Sequence, residues 1–318
     1  MKGLNIFLFF ICTIMICCKK DNPTPSPIVY VIGNDGAYPT LWKNGTEVIN
    51  STATGGVRSG FVSGTDVYIA GFQQNGTTFV PTYWKNGTSV TLPFTGGAEL
   101  NSIFVSGADV YAAGYQVIGN ADVPTYWKNG TKVALPYTTN AIANSIFVSG
   151  TDVYVAGYDF GSAVYWKNGT KSILPGTSGY PQATSMLVSG TDVYVAGDDG
   201  SSAAYWKNGT KTMLTHSSGA TDAHGTSIFV SGTDVYLSGY QIIGGNLVTT
   251  YWKNNEPVTS TLNVFANSIF VSGTDVHMAG DQINGNTTAT VPVYWKNGTL
   301  VALPVTHGIG RTVLILVN

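Results

Sequence analysis

One unit is written seven times along this chain. The tetrapeptide Tyr-Trp-Lys-Asn, or a close variant, carries Trp42, Trp84, Trp127, Trp166, Trp206, Trp252 and Trp295 at spacings of 42, 43, 39, 40, 46 and 43 residues. A second signature, Ser-Ile-Phe-Val-Ser-Gly, stands at Ser102–Gly107, Ser145–Gly150, Ser227–Gly232 and Ser268–Gly273, with variants at Gly60–Gly64 and Ser185–Gly190. A third, Asp-Val-Tyr-Val-Ala-Gly, begins at Asp66, Asp109, Asp152, Asp192, Asp234 and Asp275. A period near 40–45 residues means one supersecondary unit per repeat, which buries its apolar faces only by stacking on its neighbours.

Each unit predicts four short strands, A (SIFVS), B (DVYVAG), C (VYWK) and D (TKVALP). Ser-Gly-Thr-Asp makes a tight A–B turn. Asn-Gly makes the C–D hairpin, because both central residues tolerate positive φ. Runs such as Val153-Tyr154-Val155-Ala156 are apolar on both faces, as in a sheet sandwiched between two others. Composition agrees. Charged residues are 10%, glycines number 39 and aromatics make up 12%, a chain poor in helix formers and too apolar for disorder.

The ends close the count. The chain enters its first repeat in strand B, at Ile28–Gly33, and finishes on Thr312–Asn318, a strand A without its own repeat. The last strand therefore completes the first unit. This pattern resembles the seven-bladed β-propeller families over residues 28–318, with a strand layout similar to that of NHL-type repeats. The resemblance implies an all-β ring of four-stranded blades and no particular activity. It also implies that the A–B and C–D turns share one face, the bottom, and that the B–C and D–A connections share the other, the top.

Residues 1–17 read as a signal peptide: Lys2 supplies the positive charge and Leu4–Ile16 the short apolar core. Met15-Ile16-Cys17-Cys18 resembles a bacterial lipoprotein signal, with Cys18 as the lipidated residue and 18–27 as a Pro-rich tether. An ordinary cleaved signal peptide is the alternative. Either reading exports the protein from the cytoplasm, and the first keeps it in the cell envelope, on a membrane through Cys18, in the outer membrane or at the cell surface. All three cysteines lie in the first 18 residues, so the folded body has no disulfide, thiolate metal site or cysteine nucleophile.

The bottom turns hardly vary between repeats, whereas the top connections differ in length and content, and differentiated function belongs with the variation. Ten lysines flank the C–D turns against eight bottom acids. The top holds eight acids against Arg58 and Arg311, the only arginines. The expectation is an acidic top facing outward and a lysine-fringed bottom facing the membrane. A net charge of −2 without a basic stripe excludes general nucleic-acid binding.

Strand B ends in a repeated pair of residues. The candidate ring is Asn34-Asp35, Phe72-Gln73, Tyr115-Gln116, Tyr158-Asp159, Asp198-Asp199, Tyr240-Gln241 and Asp281-Gln282. Aromatic faces with planar amides and carboxylates suit a sugar. The same residues equally suit capping strand ends and packing blades. Asp198 and Asp199 would also serve a calcium ion; otherwise no cofactor is expected. The repeated tryptophans read as blade core, His277 as core at a tyrosine position, and His216 and His224 as a weak metal candidate with Asp222. The Asn-Gly-Thr triplets match an N-glycosylation sequon. The expected function is a monomeric surface binding or scaffold module whose partner is a glycan or a protein. A hydrolase or lyase using Asp159, Asp198 and Asp199, and a structural subunit of a membrane complex, are the alternatives.

Overall fold

The computed structural model describes residues 27–51, 53–176, 179–283, 290–307 and 309–317. The signal peptide, Cys18 and the tether up to residue 26 lie outside them. Every regular element among the described residues is a strand, and the strands form seven four-stranded antiparallel sheets. Blade 1 is Gly310–Val317, Val29–Asp35, Tyr38–Lys43 and Thr46–Asn50, so the C-terminal strand is its strand A. Blades 2 to 7 follow in chain order, with A strands Gly55–Ser63, Ala98–Ser106, Ala141–Ser149, Gln182–Ser189, Ala220–Ser231 and Val264–Ser272.

Seven apolar clusters fill the seven seams between blades. At the seam of blades 3 and 4, Tyr111, Ala113 and Leu135 of one blade meet Ile146, Val155, Val164 and Trp166 of the next. Trp166 is fully buried, and its indole N–H donates to Pro136 O of the preceding blade at 2.9 Å. Trp42, Trp127, Trp206 and Trp252 make the equivalent bond to Pro304, Pro93, Pro175 and Thr215. The tryptophans are core, as their sameness suggested. Trp84 and Trp295 follow connections that lack the Leu-Pro step, and the buried N–H of Trp84 has no partner.

The bottom is a repeated polar clasp. Asn86 and its counterparts take φ near +50°. Asn86 Oδ1 accepts Val67 N–H at 2.9 Å, and its Nδ2 donates to Asp66 Oδ1 at 2.8 Å. Lys85 pairs with Asp66 Oδ2 and lies over the Tyr68 ring. The same cluster recurs in blades 3, 4, 5 and 6, which explains why three motifs far apart in sequence are copied together. It also uses the asparagine amides of the sequon-like triplets.

Blade 7 breaks that cluster. His277 replaces the tyrosine, is 1% exposed, and neither ring nitrogen has a partner. Burial, with Lys296 beside it, holds its pKa below the ordinary value. The folded state thus keeps His277 neutral where the unfolded chain takes a proton, so its penalty grows as pH falls below about 6.5. His277→Tyr is expected to stabilise by about 1–3 kcal/mol at pH 8, from relief of an unsatisfied donor. The gain in melting temperature should be larger at pH 5; an equal gain at both values would contradict this assignment.

Strand A is longer than SIFVS. It continues upward past a β-bulge in every blade, at Arg58, Asn101, Asn144, Thr184, Thr226, Asn267 and Val313. The facing strand-B glycine makes room: a Cβ on Gly157 would lie 1.9 Å from Ile142 O. Glu99, Asp222, His224, Arg58 and Arg311, read from sequence as loop residues, therefore stand on strand A.

Candidate functional site

Strand A lines a central channel. Phe61, Phe104, Phe147, Leu187, Phe229, Phe270 and Leu316 ring it, one per blade, with neighbouring phenylalanine centroids 4.5–4.8 Å apart. Just above them the bulge residues hold the ring together. Asn101 and Asn144 donate to Ala143 O and Ala183 O of the next blade. Thr184, Thr226 and Asn267 do the same to Gly225 O, Ala266 O and Thr312 O. The serine after the bulge adds a second link, as Ser102 Oγ accepts Ile146 N–H at 3.1 Å.

The mouth above this belt is built from seven cross-strand pairs. Each joins the first residue of the candidate ring to a strand-A partner: Asn34 with Arg311, Phe72 with Gly56, Tyr115 with Glu99, Tyr158 with Ile142, Asp198 with Gln182, Tyr240 with His224, and Asp281 with Phe265. No two pairs are alike. Along the paired A and B strands, these are the positions at which the blades differ most.

The two residues of each candidate pair point to opposite faces of strand B and do different things. Asp35, Gln116, Asp159, Asp199 and Gln241 are all buried. Asp35, Gln116, Asp159 and Gln241 fasten the preceding blade's D–A connection. Asp159 accepts Thr138 N–H at 3.0 Å, its hydroxyl at 3.0 Å and Lys171 Nζ at 2.6 Å. Asp35 accepts the N–H groups of Thr306 and His307, at 2.7 and 2.9 Å. Gln116 and Gln241 accept Thr95 and Ser217 N–H through Oε1. Asp199 pairs with Lys211. Burial raises the Asp35 and Asp159 carboxyls, and the bonds they accept more than offset it, leaving both below the usual range. Gln73 and Gln282 are half-buried.

The first residues face the mouth. Where they are polar they reach the next blade at one equivalent N–H: Asn34 accepts Val57 N–H, Asp198 accepts Gly225 N–H and Asp281 accepts Thr312 N–H. Where they are aromatic they stay half-buried on the rim, as Phe72, Tyr115, Tyr158 and Tyr240. Tyr115 OH donates to Glu99 Oε1 at 3.1 Å. Tyr240 packs on His224 and edge-on to Phe265. His224 bridges Asp198 Oδ2 at 2.9 Å and Asp222 Oδ2 at 3.3 Å, and the Asp198 bond holds its pKa above the ordinary value. Asp198 and Asp199 diverge, so they do not form one carboxylate pair. Among the described residues no group of three His, Cys, Asp or Glu is placed to hold a metal ion.

The charge separation expected from sequence is smaller in the structure. Lys132, Lys171 and Lys211 leave the bottom and turn to Gln116, Asp159 and Asp199. Six of the remaining seven lysines pair with turn aspartates. The bottom thus has few lysines unmatched by an acid, and much of the top's acidity is matched within the fold.

Three features of the top were not legible from the residue types singled out above. A cavity of about 790 Å³ opens at the mouth over blades 1 and 2, lined by Arg58, Arg311, Phe72, Gln74 and Asn267 among others. Here the hydrogen-bonded belt is broken: Val313 and Leu314 stand where other blades have Asn or Thr followed by Ser, and Arg58 replaces the amide in blade 2. Aligning the seven repeats against each other exposes that break. The third feature is an aromatic rim over blade 4. Phe160 is 70% exposed with φ 43°, and Tyr180 is 80% exposed beside Gly161. A left-handed conformation costs an ordinary residue about 1–2 kcal/mol. Asparagine holds the matching position of every C–D turn. Phe160→Asn is therefore expected to stabilise by about 1 kcal/mol, raising the melting temperature by about 2 °C; an unchanged or lowered value would contradict it.

No family model matches the chain, and no curated protein matches it. A solved structure titled "Structure of YjhT" aligns with 80% of this chain and 98% of its own, at 11% identity and a TM-score of 0.44. The blade count rests on the sheets themselves, and the chain is a seven-bladed β-propeller closed by its C-terminal strand.

Proposed function

We propose that the protein is exported, anchored through a lipid on Cys18, and acts as a monomeric binding module that takes a glycan at the mouth of its top face. One observation carries the reading: near-identical blades diverge at the seven mouth pairs, and a large cavity opens there beside the half-buried Phe72 ring. Differentiated side chains on a rigid repeated frame are how a recognition surface is made. Phe72, Tyr115, Tyr158 and Tyr240 offer ring faces for sugar stacking. The buried Asp35, Gln116, Asp159 and Gln241 serve the site by fixing the loops around it.

The test is a screen of the purified protein against a glycan array, with and without calcium. Binding that falls on Phe72→Ala supports a glycan at the mouth. Absence of binding under both conditions contradicts it, and capture of a protein partner from membranes would then replace it. Export and anchoring are checked separately: Cys18→Ser is expected to move the protein from the membrane to the soluble fraction.

A further inference from the structure

The chain has two arginines in 318 residues, and both line the same cavity. They arrive from different blades. Arg58 occupies the bulge of blade 2, where five other blades hold Asn or Thr bonded to the next strand A. Arg311 stands on the closing strand, paired across the sheet with Asn34.

Their surroundings differ. Arg58 lies 5.3 Å over the Phe72 ring, and its Nε and Nη2 both donate to Glu99 Oε2, at 3.2 and 3.0 Å. Glu99 is fixed in turn by Tyr115 OH. One guanidinium is thus matched by one carboxylate and oriented by an aromatic face. Arg311 is exposed, and among the described residues no hydrogen bond or ion pair ends on its side chain. Asp281, the acid of the cavity wall, is engaged by Thr312 N–H and Asn267 Nδ2, and it feels the Arg311 charge without a direct ion pair. The cavity therefore offers one guanidinium whose hydrogen-bond donors are unused and a second, oriented one from the neighbouring blade. A planar guanidinium fork fits the two oxygens of a carboxylate. With the acids Glu99 and Asp281 close to the two guanidinium groups, a monoanion is favoured over a doubly charged phosphate. Phe72 and Gln74 add a ring face and a side-chain amide, which suits the body of a sugar.

We infer that the Arg58–Arg311 cavity binds the carboxylate of an acidic sugar, so that the glycan taken at the mouth is a carboxylated one. This rests on the glycan reading above and narrows it.

The experiment compares full-length protein in detergent on an array of neutral, sulfated and uronic-acid oligosaccharides, each uronate present with its carboxyl free and as its methyl ester. Expected is binding to free-carboxyl uronates that falls at least tenfold on esterification and at least tenfold in Arg311→Gln. Arg58→Gln should lose as much; because it also frees Glu99, Arg311→Gln is the deciding variant, with its melting temperature required to match the wild type. Equal binding of acid and ester, preference for neutral or sulfated sugars, or undiminished binding by Arg311→Gln overturns the carboxylate site while leaving the glycan reading standing. Binding of no glycan overturns both.

Discussion

Ile32→Ala is expected to destabilise the propeller by about 3 kcal/mol, and Gly60→Ile in the same chain to return at least half of that loss. Ile32 is fully buried on strand B of blade 1, where five blades have alanine and one has serine. Across the seam, blade 2 carries Gly60 where the other strands have Ile103, Ile146, Met186, Ile228, Ile269 and Ile315. A Cβ on Gly60 would lie 2.3 Å from Ile32 Cδ1. The large side chain has changed sides of the seam. Ile32→Ala alone leaves a cavity; Gly60→Ile alone overfills the seam and should cost about 1–3 kcal/mol. The double variant restores the arrangement of the neighbouring seams. Denaturant titration of all four chains measures the coupling, and additive losses would show that the two positions do not share a space.

Asp159→Ala should cost about 3 kcal/mol, while Asp159→Gln stays within about 1 kcal/mol of the wild type. Alanine strands the partly buried Lys171 ammonium and leaves Thr138 N–H without its acceptor. Glutamine keeps the acceptor, as Gln116 already does in blade 3, where Oε1 takes both Thr95 N–H and Lys132 Nζ. The same folded-state bonds hold the Asp159 carboxyl low. Its contribution is present above about pH 4 and is lost as pH falls further. Equal losses in the two variants would mean that the latch to the D–A loop contributes nothing.

The ring was legible because repetition leaves little freedom. Seven Trp signatures, seven strand-B segments and one strand A displaced to the C-terminus admit one closure, and the sheet order follows it. The length of strand A was not legible, since the bulge above SIFVS is marked only by a strand-B glycine whose reason is a carbonyl 1.8–2.2 Å from its would-be Cβ. That extension carries His224 and Arg311 out of loops and onto a sheet. The candidate ring was found as a pattern but not as two faces. Alternation along strand B sends Asp35, Gln116, Asp159, Asp199 and Gln241 toward the preceding blade's loop and Phe72, Tyr115, Tyr158 and Tyr240 toward the mouth. Arg58 and Arg311 were visible as rare residues, but only the bulge register and the closing strand bring them together.

The seam of blades 5 and 6 shows how closely such deviations are tied to one another. Thr215 replaces the proline that follows leucine in four other D–A connections and so gains an N–H. Asn255 replaces the glycine of the next blade's C–D turn and accepts that N–H through Oδ1 at 2.9 Å. Departures from the repeat here come in compensating pairs. The break over blades 1 and 2 is compensated on one side alone: Glu99 of blade 3 pairs with Arg58, and among the described residues no hydrogen bond or ion pair ends on the Arg311 side chain.

Hydrogen exchange of the seven strand-A segments, with and without a saturating free-carboxyl uronate oligosaccharide, tests most directly whether the mouth over blades 1 and 2 is the binding site. Added protection is expected in Gly55–Ser63 and Gly310–Val317, with the equivalent segments of blades 4 to 6 serving as internal controls and changing little. Protection confined to the bottom turns, or spread evenly over all seven segments, would contradict it.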